Sequence, residues 1–137
     1  MGALRPTVDT KFHIDFSWWD KQNKNVRVFL VEHLCEECRE NIGSLSEPKM
    51  VDMVDPATGE VTKVDAIWEA IRACCSSKPD YITSETPLLD SIFRLFLANG
   101  NQPLSVRELY ERLHKRPPEV ILRVLTKGTV HLGIRPA

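Results

Sequence analysis

Residues 86–134 decide the fold that this chain is expected to adopt. They read TPLLDSIFRLFLANG (86–100), NQPLSVRELYERL (101–113), HKRPPEVILRVLTKG (114–128) and TVHLGI (129–134). Helix-start and helix-stop residues divide the stretch into three segments with apolar residues at helical spacing, followed by six residues that alternate. The sequence therefore predicts three helices and a short terminal strand.

The three predicted helices carry their own boundary signals. Thr86 can cap the first helix, because a threonine hydroxyl accepts a free N–H group of the first turn. Ser105 and Glu108 have the spacing of a capping box at the start of the second helix. The third begins at the Pro-Pro-Glu of residues 117–119, and Gly128 ends it.

The first half of the chain reads as two hairpins. Residues 11–19 alternate between apolar and polar side chains, and residues 26–31 are rich in β-branched and aromatic ones. The polar residues between them predict a turn and hence a first hairpin. Residues 50–54 and 60–64 are expected to form a second hairpin or an extended loop, because a Pro- and Gly-containing turn separates them.

Two further segments complete the prediction. Asp65 is expected to cap a helix with one apolar stripe, and residues 43–49 read as a linker. At 137 residues the chain is one domain or two small lobes that share a core. We expect an α+β protein with an N-terminal lobe (residues 1–80) of β-hairpin, C-x-x-C turn and helix. A C-terminal three-helix lobe (residues 81–137) follows. Alternatively, the two lobes form one continuous domain.

The C-terminal lobe resembles a winged helix-turn-helix domain. The resemblance consists of the three helices, the tight connection at residues 114–116, the strand that follows, and the short segment at residues 103–104 before the second helix. It implies that residues 118–127 form a recognition helix and that a short wing begins at Thr129. It therefore implies DNA binding.

The charge distribution agrees with an interface to nucleic acid in this lobe. From Pro103 onward seven Lys or Arg residues stand against three Glu, a net charge of +4, although the whole chain carries −1. A solvated helix face explains the same charges. The candidate contacts to DNA are Lys115, Arg116, Arg123, Lys127 and Arg135.

The four cysteines predict a structural zinc site. Cys35 and Cys38 have the two-residue spacing that lets both thiolates reach one tetrahedral Zn²⁺. Adjacent residues of a helix point about 100° apart, so one of Cys74 and Cys75 is expected to be the third ligand. His33 is then the fourth ligand. Alternatively, Cys74 and Cys75 are small buried apolar residues, and a neighbouring carboxylate satisfies His33.

A redox interpretation of the same cysteines remains open. A C-x-x-C that follows a strand and opens a helix resembles the thioredoxin-type site, which uses a thiol of lowered pKa. Here Glu36 and Glu37 separate the two cysteines, and Glu32 and Glu40 flank them. Nearby carboxylates are expected to raise the thiol pKa and so to oppose this chemistry.

The remaining patterns favour a binding protein over an enzyme. Phosphate-binding glycine loops and common hydrolase motifs are absent from the sequence. No apolar run approaches the ~20 residues of a membrane span, so a cytoplasmic protein with no membrane contact is expected. We expect a small zinc-stabilised DNA-binding protein related to transcription. The alternatives are a winged-helix module that binds another protein or a second copy of itself, and a C-x-x-C redox protein.

Overall fold

The computed structural model describes residues 5–41 and 49–137, and it has the predicted mixed α+β class. The predicted linker at residues 43–49 lies outside these ranges except for Lys49. In chain order the helices and strands are β1 (Lys11–Ile14), α1 (Phe16–Lys21), α2 (Val26–Val31), α3 (Glu36–Asn41), β2 (Met50–Val54), β3 (Val61–Asp65), α4 (Ala66–Ala73), a 3₁₀ turn (Cys75–Ser77), α5 (Leu88–Ala98), β4 (Leu104–Ser105), α6 (Val106–Leu113), α7 (Pro118–Thr126) and β5 (Ile134–Pro136).

Strand β1 is the centre of a three-stranded antiparallel sheet. Phe12 pairs with Leu104 of β4 on one side, and Ile14 pairs with Ile134 of β5 on the other. The side chain of Asn101 continues the ladder, because its carboxamide accepts from Ile14 N–H and donates to Ile14 C=O, both at 2.8 Å. The start of the chain is therefore held between two segments near its end.

The predicted first hairpin is wrong. Only residues 11–14 of the first predicted strand are extended, and residues 26–31 of the second form helix α2. The physical reason is N-capping, which alternation does not reveal. Asp15 accepts from Ser17 N–H at 3.0 Å to start α1, and Asn25 accepts from Arg27 N–H at 2.9 Å to start α2.

The predicted second hairpin is confirmed. Strands β2 and β3 pair with Val54 opposite Val61, and the turn between them is closed by hydrogen bonds between Asp55 and Glu60 and between Gly59 and Asp55. Asp65 caps the next helix as expected, since its carboxylate accepts from Ile67 N–H at 2.9 Å. Turn chemistry and a cap therefore define this segment from local sequence alone.

The three C-terminal helices are confirmed, with two corrected boundaries. The capping box forms, since Ser105 and Glu108 each accept the other's backbone N–H. Thr86 does not cap α5; its hydroxyl accepts from Thr83 N–H instead, and the helix begins at Leu88. The last strand is β5 and not residues 129–134, because the backbone at Leu132 has a positive φ and forms a turn.

Most of the buried apolar side chains form one core cluster, to which both predicted lobes contribute. Phe12, Ile67 and Ile71 come from the first lobe, and Phe93 and Leu109 from the second, and each is at most 1% exposed. Burial of such side chains is the main favourable contribution to folding. Among the helices in the described part of the chain, none has the length and apolarity needed to cross a membrane.

We predict that Gly133→Ala strongly destabilises the fold. Gly133 has a φ of +76°, and a Cβ there would lie 2.9 Å from both Asp15 O and Trp19 Nε1. The left-handed backbone costs about 1–2 kcal/mol, and the collision adds about 1–3 kcal/mol. Gly59→Ala is the matched control, because Gly59 has a φ of +75° with open space around it. Urea unfolding should show the larger loss for Gly133→Ala, and equal losses would contradict the prediction.

Candidate functional site

All four cysteine sulfurs converge where the start of α3 meets the end of α4. Cys35 Sγ lies 3.1 Å from Cys75 Sγ and 4.0 Å from Cys74 Sγ. The sulfurs of Cys35, Cys38 and Cys74 all lie within 4.8 Å of one another. A Zn–S bond length of about 2.3 Å places tetrahedral sulfurs about 3.8 Å apart. The cluster is therefore compatible with a metal site.

Both adjacent cysteines belong to the cluster, which corrects the expectation that only one of them contributes. That expectation assumed a helix through Cys74 and Cys75. Helix α4 ends at Ala73, Cys74 follows it as the C-cap with φ −120°, and Cys75 begins a 3₁₀ turn. Because the chain changes direction between them, the two sulfurs are not held 100° apart.

His33 lies outside the cluster, which corrects its predicted role as fourth ligand. Its Nδ1 accepts a hydrogen bond from Arg94 Nε at 2.9 Å, and its ring packs against Phe29 and Phe93. The imidazole is buried, and its Nε2 has no partner among the described residues. Burial and, second, the charge of Arg94 lower the pKa of His33 to about 4. His33 is therefore a neutral core residue whose partner is an arginine and not the expected carboxylate.

Backbone and charged groups connect the two cysteine pairs. The backbone N–H of Cys35 donates to Cys75 Sγ at 3.1 Å. Lys78 Nζ forms an ion pair with Glu37 Oε2 at 2.6 Å, and this same oxygen accepts from the Cys74 thiol at 3.9 Å. Glu37 lies between the first two cysteines and Lys78 follows the second two, so the ion pair bridges the same segments as the sulfurs.

The pKa values of the thiols differ because of burial and of hydrogen bonds among the cysteines, and not because of the neighbouring carboxylates as expected. Burial raises the pKa of Cys35, but hydrogen bonds from Cys75, Cys38 and Cys74 outweigh burial and lower that pKa to about 7. Burial is the main reason that the pKa values of Cys38 and Cys75 are raised. For Cys35 the direction is opposite to the expectation from its acidic neighbours. The hydrogen bonds from the other cysteines therefore favour the thiolate form of Cys35.

The predicted DNA-contacting residues fall into two groups. Arg116, Arg123 and Lys127 are exposed and form no ion pair with any described residue. Lys115 is half-buried, and its ammonium donates to the carbonyl oxygens of Thr83 and Thr86 at 2.6 and 2.8 Å.

Arg135 belongs to the engaged group, since it forms an ion pair with Asp15 at 3.3 Å. Arg135 belongs to strand β5, several residues after the last of the three free cations. The structure therefore leaves three of the five predicted residues free for a ligand.

Sequence reasoning missed the polar residues around the cysteines. The role of Lys78 could have been predicted from the sequence. It follows Cys75 by three residues, and its charge is opposite to that of the Glu-Glu pair between Cys35 and Cys38. Arg94 gives none. It lies in an apolar helix pattern, and only the fold brings it to His33.

Comparisons with known proteins add no family to this description. No protein-family model, curated protein or solved structure matches the chain. Its function is therefore inferred from the residues of its own sites.

We predict that iodoacetamide modifies Cys35 before Cys38 and Cys75 in metal-free protein at pH 7. The rate follows the thiolate fraction and access; Cys35 is half-buried with a pKa of about 7, whereas Cys38 and Cys75 are buried with raised pKa values. Mass spectrometry of peptides after short exposure would identify the modified residue. Unfolded protein is the control, in which all four should react at similar rates. Earlier modification of Cys38 or Cys75 in folded protein would contradict this order.

Proposed function

We propose that this chain is a non-enzymatic, zinc-stabilised DNA-binding protein of winged-helix type, with a role related to transcription. Two separate sites support the proposal. The cysteine cluster provides the ligands for a structural metal ion, and the exposed cations within and at the two ends of α7 provide the contacts to DNA. The observation that carries the DNA-binding function is the set of three free cations, Arg116, Arg123 and Lys127.

The donor set of the cysteine cluster favours zinc. Four sulfur ligands suit a soft or borderline metal ion in tetrahedral geometry. Magnesium and calcium are disfavoured because both ions prefer oxygen ligands. The spacing of at most 4.8 Å among Cys35, Cys38 and Cys74 suits a single ion. With Cys75 as the fourth ligand the ion has no open position for substrate, so its role is structural.

Zinc would hold a segment that has few other means of attachment. Helix α3 has six residues, EECREN, and a helix of that length is not stable by its own hydrogen bonds. Its buried apolar contribution to the core is Cys38. Metal binding by cysteines from two segments adds directly to the free energy of unfolding.

The order of helices and strands supports the winged-helix type. Helices α5, α6 and α7 follow one another, with β4 directly before α6 and β5 after α7. The strand that completes their sheet is β1, from the other end of the chain. In this arrangement α7 is the recognition helix, and its N-terminal turn and C-terminal end present the free cations.

Phosphate contacts by these cations are expected to dominate the affinity for DNA. Each Lys or Arg that neutralises a phosphate releases counterions, so binding weakens as salt concentration rises. Contacts of this kind fix the orientation of the protein, while sequence preference requires contacts with base edges. Arg123, near the middle of the exposed face of α7, is the residue of the three best placed to reach a base.

An exposed apolar surface favours a second candidate function, binding of another protein or of a second copy. Met50, Val54 and Val61 of the β2–β3 hairpin are between 50% and 57% exposed. Val54 and Val61 lie opposite each other in the hairpin, so their side chains form a contiguous pair. Thiol redox chemistry remains the third candidate, because the pKa of Cys35 is lowered to about 7.

We predict that purified native protein contains one zinc ion per chain, held by four cysteines. Cys38→Ser and Cys75→Ser should lose the metal, and His33→Gln should keep it, because His33 is bonded to Arg94. At free zinc about 1,000 times the dissociation constant, the metal should add about 4 kcal/mol to the free energy of unfolding. Metal analysis with thermal unfolding in chelator would test this. Loss of zinc in His33→Gln but not in Cys75→Ser would contradict the ligand set.

We predict DNA binding that depends steeply on salt. Three phosphate contacts correspond to a slope of about −2.7 in a plot of log affinity against log salt concentration. Arg123→Glu should abolish a gel shift with duplex DNA at low salt. Lys49→Glu, an exposed residue just before β2, makes the same charge change elsewhere and should leave binding intact. No binding by wild-type protein at low salt, or equal losses in the two variants, would exclude α7 as the interface.

A further inference from the structure

We infer that Lys78 is the cation that offsets the negative charge of the zinc-bound thiolates, and that its neighbour Glu37 opposes it. The inference rests on the zinc site of the proposed function and assigns these two residues roles toward that site. Lys78 is thereby a positioning residue that sets zinc affinity and the reactivity of the sulfurs.

The charge of the loaded centre makes such a residue necessary. One Zn²⁺ with four thiolates carries a net charge of −2, and Glu37 adds a carboxylate 3.9 Å from Cys74 Sγ. Loading replaces the protons of the thiols with one divalent ion and leaves the centre more negative than the thiol form. A carboxylate at this distance therefore weakens zinc binding, and a neighbouring cation strengthens it. Outer groups of this kind tune metal sites throughout proteins.

The geometry places Lys78 close enough to supply this charge. Its ammonium lies 2.6 Å from Glu37 Oε2, the same oxygen that accepts from the Cys74 thiol. Its pKa is raised by Glu37 first and then by the charges of Cys74 and Cys35, so its ammonium is within electrostatic reach of the sulfurs.

Two other cations, Arg39 and Arg94, line the surface beside Cys35 and Cys75, and both are engaged elsewhere. Arg94 donates to His33 Nδ1 and to the carbonyl of Tyr81. The guanidinium of Arg39, one residue after Cys38, donates to the carbonyl of Glu32 at 3.0 Å. Among the described residues, Lys78 is therefore the cation that the contacts connect to the cluster.

A plain surface ion pair is the alternative role for Lys78 and Glu37. Their side chains are 37% and 58% exposed, and an exposed ion pair contributes little to stability. If the pair only tethers α3 to the 3₁₀ turn, removal of either partner has the same effect on zinc binding. If the charges act on the thiolates, the two removals have opposite effects.

The experiment compares the zinc affinities of Lys78→Gln and Glu37→Gln by competition with a chromophoric chelator. Lys78→Gln should weaken zinc binding about three- to tenfold, and Glu37→Gln should strengthen it by a similar factor, since both single charges act through solvent-exposed surroundings. Lys78→Arg should restore the wild-type affinity. Lys63→Gln is the matched control, because Lys63 forms an exposed ion pair with Asp52 in the β2–β3 hairpin and should leave zinc affinity unchanged.

A second measurement, the alkylation rate of zinc-loaded protein, does not depend on the chelator. Lys78→Gln should react faster than wild type, because less compensated thiolates are stronger nucleophiles, and Glu37→Gln should react more slowly. Shifts of both variants in the same direction, or no shift in either, would overturn the charge role while wild-type zinc content still supports the proposed site. Wild-type protein that binds no zinc would overturn both.

Discussion

Backbone pairing on both sides of β1 is the constraint on which the rest of the structure depends. This strand has four residues, yet it pairs with β4 and with β5, and Asn101 fills the next position with its side chain. The contact between Ile14 and Asn101 spans 87 residues of sequence. Closing so large a loop costs conformational entropy, and burial of Phe12 and Ile14 against the C-terminal helices offsets it.

The segment that follows β1 packs against α5 and against the turn before β5. Polar atoms of large side chains fix that packing at three points. Trp19 Nε1 donates to Leu132 C=O, Trp68 Nε1 donates to Leu97 C=O, and Arg94 donates to His33. Each bond joins a residue of the first predicted lobe to one of the second. Because buried polar groups are costly without partners, these bonds select one orientation of the segment.

The parts of the fold that sequence predicts are those that local chemistry determines. The capping box at Ser105, the Asp65 cap and the Pro-Gly turn of the second hairpin depend on residues within five positions of one another. Residues 26–31 show the opposite case. Their β-branched pattern favours a strand, but Asn25 starts a helix there and Leu30 is buried in the core. Strand propensity depends on context, and here tertiary packing outweighs it.

The same distinction applies to the cysteine site. The two-residue spacing of Cys35 and Cys38 predicts from sequence that the two sulfurs lie close enough to bind one metal ion. The participation of both Cys74 and Cys75 depends on the exact residue at which α4 ends. A sequence pattern does not locate a helix end to within one residue. For His33 the sequence was misleading. The residue lies close to Cys35 in sequence, which predicted a metal ligand, but in the folded chain its Nδ1 accepts a hydrogen bond from Arg94.

The distribution of ion pairs explains why the cations of α7 are informative. Outside residues 112–127 the chain has thirteen Lys and Arg residues, and seven of them form ion pairs with carboxylates in the described structure: Lys11–Glu108, Arg27–Asp65, Lys63–Asp52, Arg72–Glu69, Lys78–Glu37, Arg107–Asp9 and Arg135–Asp15. Arg112, Arg116, Arg123 and Lys127 are exposed, form no such pair in the described structure, and lie within a stretch of sixteen residues.

A folded chain gains little from unmatched like charges on one surface, since they repel one another. Their concentration along α6 and α7 is the feature on which the proposed binding of a negatively charged ligand rests. The net charge of −1 hides this surface, because the compensating carboxylates lie in the other part of the chain. Zinc at the cysteine cluster and a polyanion at α7 would then act on separate regions of one core, the first by holding the chain together and the second by using the surface that the fold leaves free.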